Sequence, residues 1–309
     1  MATERFRREV IAGLLSAPKR LPSKLFYDER GSQLFDEITR LDEYYLTRTE
    51  ISIFERYLPE MAALVGPNAL VIEFGTGAGI KTAMLLRSLD HPRAYIPIDI
   101  SSEQLAIASR ELSARFPTVA VHPVCADYTE SFRLPVVERG ERNVIFFPGS
   151  TIGNFEPPGA VEFLRRAASL VGTPGALLIG FDRVKDRKTL EAAYNDKKGV
   201  TAQFNRHLIE RVAEGFEVSI SPEDFEHYAF YNEPENRIEM HLVSRKSQVL
   251  CLDSQTIHLA AGEHIITEYS YKYTPESFAK ILAESGFQVS NTWTDPMDYF
   301  EVCYAVVQR

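Results

Sequence analysis

The sequence has few of the features that staple a protein covalently or direct it to a membrane or a nucleic acid. There are three cysteines in 309 residues, Cys125, Cys251 and Cys303, far apart in the chain. An odd number with no CxxC pair gives neither a disulfide framework nor a cysteine metal site, and points to a reducing compartment. Each lies in an apolar, strand-like run, so each is expected as a plain buried thiol. No run approaches the ~20 apolar residues of a membrane-spanning helix. The opening Met-Ala-Thr-Glu-Arg-Phe lacks the apolar stretch of a signal peptide. A basic excess is also missing: 34 basic against 43 acidic residues leave a net charge of −9. That balance argues against a nucleic-acid or anionic-membrane partner. No repeat or low-complexity segment is present. The seven histidines show no metal-ligand spacing, so lone core or surface histidines are expected, and no metal. A soluble, cytoplasmic chain remains, long enough to bury a large core.

What is present is organised in two textures. From about 48 to 184, short apolar runs alternate with helical patterns. Runs at 69–74, 94–98, 119–124, 143–147 and 176–181 read as strands buried on both faces of a parallel sheet. Helices fit at 81–89, 101–116 and 157–170. The second opens with Ser101-x-x-Gln104, a capping pattern, and aligns Leu105, Ala108 and Leu112 on one face. Strands alternating with helices predict a doubly wound α/β domain. Its tail has a helix from Thr274-Pro275 to Gly286, then strands at 287–293 and 300–307. The turn joining these strands is too short for a parallel crossover, so the pair is expected to be antiparallel. Residues 1–47 and 185–273 are more charged and mixed, with strands around 237–244 and 247–252. They are read as one α+β companion domain, completed by insertion before the 274–309 tail. A ligand is expected in the crevice between the two domains.

The sharpest motif follows the first strand: Glu73-Phe-Gly75-Thr-Gly77-Ala-Gly79-Ile-Lys81. Such glycines permit a tight turn and close backbone approach, and the following helix start presents unpaired N–H groups. Dinucleotide sites use G-x-G-x-x-G. Here the spacing is G-x-G-x-G, with an acid two positions earlier that would repel a pyrophosphate. An ammonium-bearing ligand such as S-adenosylmethionine suits it better. A bare structural turn is the plainer alternative. The second strand ends in Asp99, where a carboxylate can accept both ribose hydroxyls, although an Asp flanking the next helix would look the same. The third ends in Asp127-Tyr128, an acid for an adenine amino group and a ring to lie along the base, or simply a turn. After the fourth strand, Gly149-Ser-Thr-Ile-Gly-Asn154 forms a polar loop in which Asn154 either reaches a second ligand or holds the turn.

Longer stretches carry a family resemblance. Residues 21–50, Leu-Pro-Ser-Lys-Leu-Phe-Tyr-Asp-Glu-Arg-Gly-Ser-Gln-Leu-Phe-Asp-Glu-Ile-Thr-Arg-Leu-Asp-Glu-Tyr-Tyr-Leu-Thr-Arg-Thr-Glu, closely resemble the L-histidine Nα-methyltransferases of ergothioneine biosynthesis. So do Gly149–Asn154, Gly199–Asn205, Arg237-Ile-Glu-Met240, Thr267-Glu-Tyr-Ser-Tyr-Lys272 and Thr294-Asp-Pro296. The resemblance spans nearly the whole chain. It implies a Rossmann-like class I methyltransferase sheet, mostly parallel with a C-terminal antiparallel pair, beside a substrate domain. It implies S-adenosylmethionine held by Gly75, Gly77, Lys81, Asp99, Asp127 and Tyr128. The amino-acid carboxylate would be gripped by Asn154 and Tyr194, and the imidazole read by Tyr44, Glu268 and Ser270. Tyr27 would lie near the reacting amine and Met240 would line the pocket. The loop residues Ala78-Gly79-Ile80, Pro148 and Arg183 depart from the family pattern, and Arg183 is a candidate modifier of substrate choice.

The implied reaction is three successive methyl transfers to the α-amine of histidine, giving hercynine. Tyr27 or a water would receive the amine proton. The expected partner is a small molecule, L-histidine and its methylated intermediates, and a monomer is expected. Three other readings stand beside this one. They are an N-methyltransferase for another amino acid or amine, a non-catalytic binding protein on the same fold, and, less favoured by the glycine spacing, a dehydrogenase.

Overall fold

The computed structural model describes residues 4–130, 132–137 and 141–308. The chain begins with α1 (Glu4–Leu15), β1 (Lys19–Arg20), α2 (Glu29–Ile38) and α3 (Tyr45–Val65). There follow β2 (Leu70–Phe74), α4 (Ile80–Ser88), β3 (Ala94–Asp99), α5 (Ser102–Arg115), β4 (Ala120–Val121), β5 (Val124–Cys125), β6 (Asn143–Phe147), α6 (Pro157–Val171) and β7 (Ala176–Asp182). Then come α7 (Arg187–Tyr194), α8 (Val200–Phe216), β8 (Phe225–Asn232), β9 (Arg237–Ser244), β10 (Gln248–Leu252), β11 (Gln255–Leu259) and β12 (His264–Tyr271). The chain closes with α9 (Pro275–Glu284), β13 (Phe287–Thr294) and β14 (Phe300–Val307).

Two compact units result. One joins the residues up to Tyr45 with Lys185–Tyr271, and the other joins Leu46–Val184 with Lys272–Arg309. Lys272 and Tyr273 therefore fall in the second unit, not with the insertion as the sequence texture suggests.

The second unit is a mixed sheet in the order β13-β14-β7-β6-β2-β3-β4, with β5 also paired to β3. Strands β2, β3, β6 and β7 run parallel, while β14 lies antiparallel to both β7 and β13. Every residue of β2, β6 and β7 is buried, so both faces of the sheet are covered. Chain order reverses at β2: β3 and β4 lie to one side, β6 and β7 to the other. The carboxyl ends of β2 and β6 thus form the switch point where such sheets bind ligands. Helix α9 starts with a full capping box, in which Thr274 accepts from the Ser277 N–H and Ser277 accepts from the Thr274 N–H.

The run at 119–124 is not one buried strand. It breaks into β4 and β5 around His122-Pro123, and after buried Val119 its residues are exposed or half-buried. Proline has no N–H for the ladder and is confined to sheet edges, where β4 and β5 lie. For the same reason Cys125 is exposed. Cys251 is exposed too, on the outward face of the two-stranded β10–β11 hairpin, and only Cys303 is buried.

The first unit is built on the sheet β1-β12-β9-β8. A β-bulge interrupts the β12–β9 ladder between Ile266 and Glu268, leaving Thr267 as the extra residue. Without it, Glu268 and Ser270 would share a face with Ile266 and His241. With it, Glu268 stands opposite Met240 and Ser270 opposite Ile238. Buried Asn205 of α8 fixes this geometry. It accepts from the Thr267 hydroxyl at 2.7 Å and donates to the His241 carbonyl and to His227 Nδ1, each at 2.9 Å.

Candidate functional site

In the second unit, the glycine loop leaves β2 with Gly75 at φ +76°, a left-handed conformation that favours glycine. A Cβ added at Gly75 would come 3.9 Å from the Tyr128 ring, so the ring lies against the loop. Asp99, half-buried at the end of β3, accepts from the Thr76 N–H at 3.0 Å and from the Ser101 N–H at 2.9 Å. It is therefore both a loop anchor and a helix-flanking acid. The oxygen bonded to the Thr76 N–H also accepts from the Thr76 hydroxyl at 3.3 Å, and the oxygen bonded to Ser101 keeps a second lone pair for a ligand hydroxyl. Asp127 accepts from the Thr129 N–H at 2.9 Å. Tyr128 packs among Phe74, Phe147 and Phe163, and burial, then Asp99 and Asp127, push its hydroxyl well above the ordinary range. Gly75, Gly77, Lys81, Asp99, Asp127 and Tyr128 thus gather at the ends of β2, β3 and β5, an arrangement that suits a nucleoside with two hydroxyls and an amino group.

Glu73 plays a different part from the one its place before the loop suggests. Its carboxyl is buried and turned inward, accepting from the Thr82 hydroxyl at 2.9 and 2.7 Å and from the Tyr95 hydroxyl. Burial pushes it up to about 8, so it is protonated and neutral at pH 7. It supports the loop from below and offers no anion to a ligand's ammonium group.

At the end of β6, Gly149 (φ +84°) and Ser150 (φ +60°) turn the chain into a short 3-10 turn, Thr151–Asn154. Asn154 is half-buried at its end. The turn is pinned from two sides. The Ser150 hydroxyl accepts from the Asp182 N–H at 2.9 Å, and Asp182 is itself paired at 3.0 Å with Lys272, both fully buried. The Gly149 N–H is held by both oxygens of Glu50, at 3.0 and 2.9 Å. Glu50 lies on α3, is buried, and also takes the Lys81 ammonium in an ion pair. Arg183 is drawn to the C-terminal hairpin, 3.1 Å from Asp298 and 3.8 Å from Glu301.

In the first unit, the sequence-expected substrate residues form one aromatic and polar cluster. The Tyr194 hydroxyl donates to Ser270 Oγ at 2.8 Å. The Tyr44 ring is 6.3 Å from Tyr194 and 6.1 Å from Phe35, and Phe35 is 5.7 Å from Tyr27. Tyr44, Tyr194, Met240 and Ser270 are buried, while Tyr27 and Glu268 are half-buried. The bulge puts Glu268, Ser270 and Met240 on the same sheet face.

The histidines are less solitary than expected. His207 lies between Asp28 and Glu210, with Nε2 and Nδ1 each 2.8 Å from a carboxylate oxygen. Burial opposes a charged ring, but these two acids carry its pKa above the ordinary value. Asp28 adjoins Tyr27 and caps α2 through the Gly31 N–H at 2.8 Å, so His207 braces the Tyr27 segment. His227 donates from Nε2 to the Tyr194 carbonyl at 2.9 Å, and burial lowers its pKa. His241 and His264 meet at 3.0 Å. Among the described residues, no group of three His, Cys, Asp or Glu is placed to hold a metal ion. The parts missed by sequence reasoning are the roles of Glu50, Asp182, Lys272 and Asn205; three of these close stretches that carry the family resemblance, but their buried partners are remote in sequence, so spacing gave them no role.

Residues 6–307 match the family described as histidine-specific methyltransferase, SAM-dependent. The chain is 43% identical over 312 residues to the histidine N-alpha-methyltransferase of Mycolicibacterium smegmatis, covering 99% of this chain and 96% of that one. It is 38% identical over 305 residues to the histidine N-alpha-methyltransferase of Mycobacterium tuberculosis, covering 97% and 94%. It is also 30% identical over 291 residues to ergothioneine biosynthesis protein 1 of Neurospora crassa, covering 91% of this chain and 32% of that protein.

Proposed function

The chain belongs to the histidine-specific, S-adenosylmethionine-dependent methyltransferases, and from that premise we propose that it trimethylates the α-amine of L-histidine to hercynine, a step of ergothioneine biosynthesis. The observation that supports the substrate is the set in which Tyr44 packs on Tyr194, Tyr194 bonds Ser270, and the bulge in β12 brings Glu268 and Ser270 to the sheet face of Met240. An imidazole has two ring nitrogens. Glu268 accepts from one N–H, and Ser270, held by Tyr194, meets the other. A ligand without those groups makes neither bond and still takes water away from Glu268 and Ser270, at ~1–3 kcal/mol each. Apolar amino acids are rejected for that reason.

S-adenosylmethionine supplies an electrophilic methyl group on a sulfonium. Asp99 takes the ribose hydroxyls, Asp127 the adenine amino group and Tyr128 the base. Gly75 and Gly77 let the backbone approach, and Lys81 takes the methionyl carboxylate. The family resemblance assigns the histidine carboxylate to Asn154 and Tyr194; the Tyr194 proton is given to Ser270, which leaves the Asn154 amide as the donor that aims the amine. In each round the nitrogen lone pair forms the new N–C bond, the C–S bond breaks, and S-adenosylhomocysteine leaves. Each round starts from an ammonium that gives up one proton, to Tyr27 or water, so positioning carries most of the catalysis. We read the chain as a cytoplasmic monomer acting on a small molecule, with no nucleic-acid or membrane partner.

Mass spectrometry of histidine incubated with the protein and S-adenosylmethionine tests the reaction. A gain of three methyl groups is expected. No gain with histidine, together with methylation of another amine, would refute the substrate. Glu268→Ala is expected to cut histidine turnover far more than cofactor binding, and unchanged turnover would remove Glu268 from the site.

A further inference from the structure

Glu50 closes the 21–50 stretch without a role assigned to it there, yet it ties two parts of the site together. Its fully buried carboxylate takes the Lys81 ammonium and the Gly149 N–H at once. It lies directly over Gly180 of β7, where an added Cβ would stand 2.2 Å from Glu50 Oε1 and 2.8 Å from the Phe300 ring. The glycine at 180 is what lets the carboxylate occupy that place. Lys81 is the second residue of α4, at the positive end of the helix, where a lysine is disfavoured. Its ammonium also lies beside the Gly149 turn, 3.5 Å from the position of a Cβ there. A cation in that setting stays only if an anion holds it. A lone buried carboxylate is in turn costly unless it is paired and hydrogen-bonded, as Glu50 is.

Resting on the reading of Lys81 as a cofactor ligand, we propose that Glu50 is a positioning residue for methyl transfer. Its charge fixes the Lys81 ammonium, and its oxygens seat the Gly149–Asn154 turn. One of the three ammonium donors is spent on Glu50, and the partly exposed lysine keeps others for an anionic group. The same carboxylate therefore sets both the cation for the cofactor and the turn that carries Asn154.

The two functions separate by substitution. Glu50→Gln keeps a carbonyl oxygen for the Gly149 N–H but removes the charge that holds Lys81. Titration calorimetry with S-adenosylmethionine is expected to show Kd raised roughly tenfold in Glu50→Gln and at least as much in Lys81→Met. The double variant is expected within about twofold of Lys81→Met alone, because Glu50 acts through the lysine. The histidine KM of Glu50→Gln, at saturating cofactor, should move much less than the cofactor Kd. Gly180→Ala is the second variant. It keeps both charges but displaces the carboxylate, so cofactor Kd and histidine KM should both rise. If Lys81→Met leaves cofactor Kd unchanged, the reading of Lys81 falls. If Lys81→Met weakens binding while Glu50→Gln and Gly180→Ala do not, the inference about Glu50 is overturned. The same follows if the two effects multiply in the double variant, or if histidine KM and cofactor Kd move equally in Glu50→Gln.

Discussion

Replacing Glu73 by glutamine should remove much of the pH dependence of this protein's stability. The side chain is buried beneath the glycine loop, between Thr82 and Tyr95, and burial pushes its carboxyl from an ordinary 4.5 up to about 8. In the folded protein it therefore keeps a proton that the unfolded chain releases above pH 4.5. Its contribution to stability is fully present below that pH, and is lost as pH rises toward 8. At ~1.4 kcal/mol per tenfold change in proton affinity, the whole rise is on the order of 4–5 kcal/mol. From about pH 5 to about pH 7.5 the loss should be roughly 3 kcal/mol. Glutamine is neutral throughout, has nearly the same shape, and can still accept from Thr82 and Tyr95. Urea unfolding of both proteins across this range isolates the effect, because every other titrating group is common to the two. The parent should lose stability relative to Glu73→Gln as pH rises. Parallel curves would mean that Glu73 is ionised in the fold, and the reasoning would fail. A neutral Glu73 also implies that the substitution leaves cofactor affinity at neutral pH within about threefold of the parent.

Two further outcomes follow from the first unit. Tyr194→Phe deletes the hydroxyl that donates to Ser270, worth ~1–1.5 kcal/mol, so the histidine KM should rise roughly tenfold while cofactor Kd stays put. An unchanged KM would show that the pair does not shape the substrate site. His207→Leu removes the charged bridge between Asp28 and Glu210 and should cost roughly 1–3 kcal/mol, read by urea unfolding. Because the histidine pKa is raised in the fold, that stability is fully present below its ordinary value and is lost as pH rises through the raised one. The gap between the two proteins should therefore close at alkaline pH. A gap that widens there would refute the assignment.

Much of this protein was determined by local sequence. Buried strands read directly as apolar runs, because a strand covered on both faces has no reason for polar alternation. The helix starts read from Ser101 and Thr274, because capping is a contact within four residues. The glycine loop and the acids at the strand ends were legible because their spacing is a local consequence of the β-α-β turn. The ligand and the aromatic substrate residues were legible only through long ordered motifs shared with a family, since spacing alone gives Tyr27, Tyr44 and Tyr194 no chemistry.

The tertiary structure decided the rest, and always where partners are remote in sequence. Glu73 looks like a ligand to an ammonium group until Tyr95 and Thr82 close over it and burial keeps it neutral. Glu50 looks like one more helix surface charge, and becomes a buried anchor because Lys81, Gly149 and Gly180 converge on it. One extra residue, Thr267, moves Glu268 and Ser270 to the face of Met240. Alternation along a strand fixes which residues share a side, but the partner strand and its bulge decide which side that is.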